Sequence, residues 1–241
     1  MEMLLKVREH FPVALHGVSL SIAAPEEINL RYLSELKKLY DRVEPFITSD
    51  HMCWTGHSAH NAHDLLPFPR TKKMLQFVSD KIDQAQNFLE RTMTFENVST
   101  YVEFDENEMS EDEFLSELSS KTGCRLLVDI NNIYVNATNF SFSPQKYIDQ
   151  IDASKVSQIH LAGFSDLGEM LFDTHSKPVF SKVWELYRYA AQKLKDVPVL
   201  IELDEDIPEF SVLCQELEKA RNIWNDENCA KVNHARNEKT T

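Results

Sequence analysis

RLLVDINNIY, residues 125–134, is the stretch that decides the fold. It is a continuous apolar run rich in β-branched residues, the pattern of a strand buried on both faces. A helix precedes it: Ser110 and Glu113 have the spacing of a capping box, and Gly123 stands where a helix would stop. A second helix follows, because Ser143-Pro144 pairs a capping residue with a proline at the first helical position. Outward from this helix–strand–helix core the pattern repeats. Further apolar runs occupy 13–22, 46–54, 92–98, 156–163 and 197–203. Between them lie helical stripes: Leu33, Leu36, Tyr40 and Val43 over 26–43; Leu75, Val78, Ile82, Ala85 and Leu89 over 71–91; Trp184, Tyr187, Ala191 and Leu194 over 181–195; Phe210, Leu213, Leu217 and Ile223 over 208–224. Strand alternating with helix predicts an α/β fold with a parallel sheet and right-handed crossovers, either a (β/α) barrel or a doubly wound sheet. No glycine-rich phosphate loop follows any strand, so the nucleotide-binding sheet lacks its usual signal. One domain over 1–224 is expected, followed by a polar, disordered tail over 225–241.

Composition narrows the function. A net charge of −14, from 25 basic and 39 acidic residues, speaks against a nucleic-acid partner. No run approaches a membrane span, and residues 1–6 lack the pattern of a secretion signal, so a cytoplasmic location is expected. Cys53, Cys124, Cys214 and Cys229 form no C-x-x-C pair, which disfavours a thiolate metal site.

The strand ends carry the chemistry. Catalytic groups of (β/α) barrels gather at the C-terminal ends of the strands. Here those ends present His16, His51, Glu96, Asp129 with Asn131, His160 and Glu202, with Asp173 and His175 in a following segment. A lone charged or imidazole group in an apolar strand is usually a hydrogen-bonded core residue, since burying it unpaired costs several kcal/mol. Six strands each delivering one are better explained by metal. The set is nitrogen and oxygen only, which suits iron, manganese or zinc, and it exceeds the needs of one ion. Asp129 and Asn131, two apart, are expected on one side of a single strand. His63, Asp50 and Asp204 are candidates for supporting the ligands or touching substrate. His57, His60 and His63 read as an active-site loop.

Eight segments together resemble the multinuclear non-haem iron-dependent oxidative enzymes, formerly the domain of unknown function 692. They are HGVSLSI (16–22), SDHMCW (49–54), HDLLPFP (63–69), FENVSTY (95–101), TGCRLLVDINNIYVNA (122–137), QIHLAGF (158–164), DTHSKPV (173–179) and LIELDEDIP (200–208). The resemblance spans 13–220 and implies a (β/α)8 TIM barrel like that of xylose isomerase, with two or three iron ions. By that likeness His16, His51 and Glu96 would hold one ion, and Glu96 would bridge to a second held by Asp129 and His160. Asn131, Asp173, His175 and Glu202 would serve a third. Asp129, Glu96 and His160 would then be the catalytic core. The implied reaction uses dioxygen to oxidise residues, often cysteine, of a ribosomally made peptide, commonly with a separate peptide-recognition partner. The chain departs from the family in three places. Asp50 stands where Glu is usual, Phe164 where a second His is common, and only 1–12 precede the HGVSLS strand where two further strands are usual. Six visible strands imply a barrel short at its N-terminus, with open edges through which a homodimer could form. The competing readings are another metal-dependent barrel enzyme, isomerase-like or endonuclease-like, and an inactive metal-binding paralogue.

Overall fold

The computed structural model describes residues 1–57 and 60–237. They form two compact units, Met1–Leu127 and Val128–Thr241. The boundary falls inside one strand, and each unit is described by itself.

In the first unit, α1 (Glu2–His10) leads into β1 (Ala14–His16), α2 (Leu30–Val43), β2 (Ile47–His51), a hairpin of β3 (Trp54–His57) and β4 (His60–Leu66), α3 (Lys72–Leu89), β5 (Thr94–Glu96), α4 (Glu111–Thr122) and the start of β6 (Arg125–Asp129). The sheet runs β1-β2-β5-β6, and every pairing is parallel. All residues of β2 and β5 are buried, and since most of them are polar, their side chains must find partners there. β1 is only half-buried because, among the described residues, it pairs with β2 alone.

The helices start where side chains can satisfy their first N–H groups. Thr71 caps α3 by accepting from Met74 N, and Ser110 and Glu113 complete both halves of the expected capping box. Gly123 ends α4 in the left-handed region at φ 71°, where a side chain would be strained. The stripe of α3 buries Leu75, Val78, Ile82, Ala85 and Leu89 as its spacing predicts. Each large aliphatic among them contributes roughly 1.5–3 kcal/mol. α2 begins at Leu30 rather than at 26, with Asn29 as its cap. The residues before it are held out of the helix because the carbonyls of Ala24 and Glu26 accept from Lys81 Nζ at 2.6 and 3.0 Å.

The second unit opens on the end of β6 and corrects the expected strand over 125–134. β6 stops at Asp129, and α5 (Ile130–Phe140) starts at once. The Asp129 carboxylate accepts from Asn132 N at 2.7 Å, so it caps a helix instead of continuing a strand. Next come α6 (Pro144–Gln150), a 3-10 turn (Ala153–Lys155), β7 (Val156–Leu161), a short hairpin of β8 (Ser165–Asp166) and β9 (Leu171–Phe172), α7 (Ser181–Ala191), β10 (Val199–Ile201) and α8 (Phe210–Asn237). β10 lies parallel to β7, with Leu200 opposite His160. All six expected strand regions therefore contain a strand. α8 continues well past Trp224, where the tail was expected, because Arg188 pairs with Glu227 at 3.0 Å and Asn228 donates to Trp224 O at 2.9 Å. The expected tail's last residues, 238–241, lie outside the described residues. Among the described residues no helix is long and apolar enough to cross a membrane.

Candidate metal centre

Register builds the first site. His16 lies opposite Ser49, and Glu96 lies opposite His51. Ser49 and His51 are two apart on β2 and share a face, so all four side chains meet on one side of the sheet. His16 Nε2 and His51 Nε2 stand 3.1 and 3.3 Å from Glu96 Oε2 and 3.3 Å from each other. Glu96 is 1% exposed and His51 8%.

The other ring nitrogens fix the tautomers. His51 Nδ1 lies 3.1 Å from Gly17 O, which can only accept, so Nδ1 carries the hydrogen. His16 Nδ1 lies 2.8 Å from Ser49 Oγ, a hydroxyl that can accept from it in the same tautomer. With the hydrogen on Nδ1 of both rings, the two Nε2 lone pairs face one carboxylate oxygen. Such convergence is repulsive unless a cation or proton lies among the three atoms. Neighbouring ligand atoms around one ion with bonds of about 2.1 Å stand about 3 Å apart, so the trio fits a metal ion. Two histidines and a carboxylate are also the set found at open non-haem iron sites.

Asp50 lies on the other face of β2. It is 1% exposed and accepts from His51 N at 2.8 Å and from Leu20 N at 3.1 Å. Burial lifts its carboxyl above the ordinary value, and the nearby His51 and the two N–H donors offset only part of that. A side chain at Gly17 would run into the Asp50 carboxylate, so only glycine lets the loop after His16 pass. Ser49 was not singled out from sequence, although its place two residues before His51 on a strand is the signal that finds it. His57, His60 and His63 lie in the exposed β3–β4 hairpin, not in an irregular loop. His63 is exposed at φ 53°, with its N–H on Asn61, and its side chain is not brought to the trio.

The second unit gathers the remaining candidates in a different manner. His160 is fully buried, with Nδ1 2.9 Å from Glu202 Oε2. His175 Nε2 stands 2.8 Å from Asp173 Oδ1, and its Nδ1 stands 3.5 Å from Glu202 and 3.6 Å from Asp204. Asn131 donates to Asp173 Oδ1 at 2.8 Å, so it does reach the set, from a helix and not from the expected strand. His175, Glu202 and Asp204 could together hold a metal ion. Burial alone would lower the His175 pKa, but the hydrogen bond and charge of Asp173, with Asp129 and Glu202 behind it, lift it to about 10. In the metal-free chain a proton therefore sits on His175 at neutral pH. Cys53 and Cys124 are buried thiols and take no part in either set.

Comparison with known proteins agrees with this chemistry. A family model described as "RiPP precursor modification enzyme MbnB/TglH/ChrH" matches residues 1–225. A UPF0276 protein of Caulobacter vibrioides is 49% identical over 218 residues, covering 90% of this chain and 78% of the relative. Another, of Acaryochloris marina, is 45% identical over 215 residues, covering 89% and 78%. Among solved structures, a xylose isomerase domain containing protein from Salmonella typhimurium superposes with a TM-score of 0.63 at 10% identity, covering 92% of this chain and 80% of that one. Endonuclease IV from Thermus thermophilus gives 0.62 at 17% identity, covering 93% and 81%. At such identities the likeness shows the fold alone: the xylose-isomerase-like TIM-barrel class.

Proposed function

Since this chain belongs to the family of RiPP precursor modification enzymes MbnB/TglH/ChrH, we propose that it uses two or three iron ions and dioxygen to oxidise residues, cysteine foremost, of a ribosomally synthesised peptide. The observation that carries this reading is the trio of His16 Nε2, His51 Nε2 and Glu96 Oε2, three donor atoms 3.1 to 3.3 Å apart. Its composition supports iron over a site built for magnesium or calcium, which take oxygen ligands.

Iron, when bound, supplies the Lewis acidity and the one-electron exchange with dioxygen that no side chain here offers. The protein's own part is positional. Ser49 and Gly17 hold the two imidazoles in the tautomer that presents Nε2. Glu96 adds the negative charge, and its burial keeps water from competing for it. Asp173, Glu202, His160 and His175 offer a second nitrogen and oxygen set, with Asp129 and Asn131 beside it.

The test is reconstitution with ferrous iron under anaerobic conditions, metal analysis, then admission of air with cysteine-containing peptides encoded in the same genome. More than one iron per chain and a mass change in one peptide that needs dioxygen are expected. Equal turnover by the manganese- or zinc-loaded chain, with no dioxygen consumed, would point instead to isomerase-like or hydrolytic chemistry.

A further inference from the structure

The first unit contains a cleft of about 540 Å³ that the metal chemistry does not use. One wall is the loop between β1 and α2, and the other is the β3–β4 hairpin. Ser19, Ser21, Asn29, Thr55, Asn61 and Lys81 line it, among others. We propose that this cleft receives an extended segment of the substrate peptide beside the residue to be oxidised. The inference rests on the peptide-oxidising reading above and adds where the peptide lies.

Position is the first ground. Both walls grow directly from ligand strands: Ser19 comes three residues after His16, and Thr55 four after His51. A fully extended chain spans at most ~3.6 Å per residue. Ser19 therefore lies within about 11 Å of His16, and Thr55 within about 14 Å of His51. The walls of the cleft therefore stand within a few residues' reach of two of the trio's ligands.

Chemistry is the second ground. The volume lies in the range of ligand sites, roughly 300–1,000 Å³. The lining sets hydroxyl and amide groups, which can both donate and accept as a peptide backbone demands, beside Glu26 and Glu27 and the apolar Leu20 and Ile28. An apolar cleft would suit a lipid or a hydrophobic cofactor. This one suits a chain of amides.

Rigidity is the third ground. Lys81 is 8% exposed and spends two of its three N–H bonds on Ala24 O and Glu26 O, pinning the loop from below. Thr55 N donates to Ser21 Oγ at 2.9 Å and Ala23 N to Cys53 O at 3.0 Å, tying loop to hairpin. His57 Nδ1 lies against Glu26 Oε1 at the cleft's edge. Walls fixed before binding cost less ordering when a flexible peptide arrives.

The experiment uses the full chain, iron-loaded and anaerobic, with a fluorescein-labelled copy of the peptide oxidised in the test above. Thr55→Trp and Ser19→Trp each fill the cleft without touching a ligand. Both are expected to weaken binding by about tenfold or more, read as fluorescence anisotropy, with iron content as in the parent. Glu35→Gln, on the exposed face of α2, should bind as the parent does. Parent-like binding by both tryptophan variants would overturn the cleft while leaving peptide oxidation standing. If Thr55→Trp melts early, Ser19→Trp, on an exposed loop position, decides alone. Failure of the parent to oxidise any peptide would defeat the functional reading itself, and the cleft with it.

Discussion

The trio of the first unit and the acidic set of the second use the same residue types and hold them in opposite ways. His16, His51 and Glu96 stand at the ends of three adjacent parallel strands, and each histidine's Nδ1 faces an uncharged oxygen. His160, Asp173, His175 and Glu202 come from a strand, a turn and a strand end, and there both ring nitrogens of His175 face carboxylates. The first arrangement leaves lone pairs converging, a state that only a shared cation or proton relieves. The second relieves itself, because the protonated His175 neutralises part of its own surroundings. An ion entering the trio meets preformed ligands. An ion entering the acidic set must also displace a proton.

Removing a ligand from the trio should have the largest effect. Glu96→Ala and His51→Ala should each lower iron per chain and abolish peptide oxidation, whereas His175→Ala should leave the first equivalent of iron in place. Loss of the first equivalent from His175→Ala, measured by metal analysis after gel filtration, would break the contrast between the two sets.

Asp129→Asn comes next. Asparagine caps a helix as well as aspartate does, so α5 should persist and the melting temperature should stay near that of the parent. The lost charge should still reduce iron content and stop oxidation. A variant that keeps all its iron and melts early would make Asp129 a structural cap and nothing more.

A smaller effect is expected from Ser49→Ala, which removes the oxygen that orients His16. Groups that orient ligands typically account for 10–100-fold in metal affinity. A loss of about tenfold in ferrous affinity is therefore expected, read by competition with a chelator. An unchanged affinity would mean the ring is held by packing alone.

The smallest effect is a pH dependence confined to the second unit. The folded His175 pKa of about 10 lies above its ordinary 6.5. A raised pKa stabilises the fold fully below the unfolded value, and that contribution fades as pH rises through the folded one. The difference in melting temperature between the metal-free parent and its His175→Gln variant should thus be constant below about pH 6.5 and shrink toward pH 10. A difference that grows with pH would remove the proton from His175.

Strands and caps were legible in the sequence because each has a short-range cause. The strand at Ile47–His51 lies between Phe46 and Met52 and the strand at Thr94–Glu96 follows Met93, so each reads as a short apolar run broken by polar groups, and Ser110 with Glu113 satisfies its helix locally. The strand-to-helix switch at Asp129 was not legible. Apolar residues continue through Ile130 and Ile133, and Asn132 stands where a capping box would carry glutamate, so nothing nearby marks the turn. The ligand types were legible as polar residues in apolar runs. Their grouping was not, since it depends on which strands lie side by side: Glu96 meets His51 only because β5 pairs with β2. Ser49 was legible as a same-face neighbour of His51, but its meeting with His16 depends likewise on β1 pairing with β2.

The alternation of β2 has a consequence for how such a gene can change. Ser49 and His51 face the trio, while Thr48 and Asp50 take the opposite side. Point substitutions at any one of these positions disturb one contact. Loss of a single codon between 47 and 51 inverts the parity of every residue beyond it, sending His51 to the Asp50 side. Lineages carrying this strand should therefore hardly ever vary in its length, so that spacing is inherited together with the ligand residue it positions.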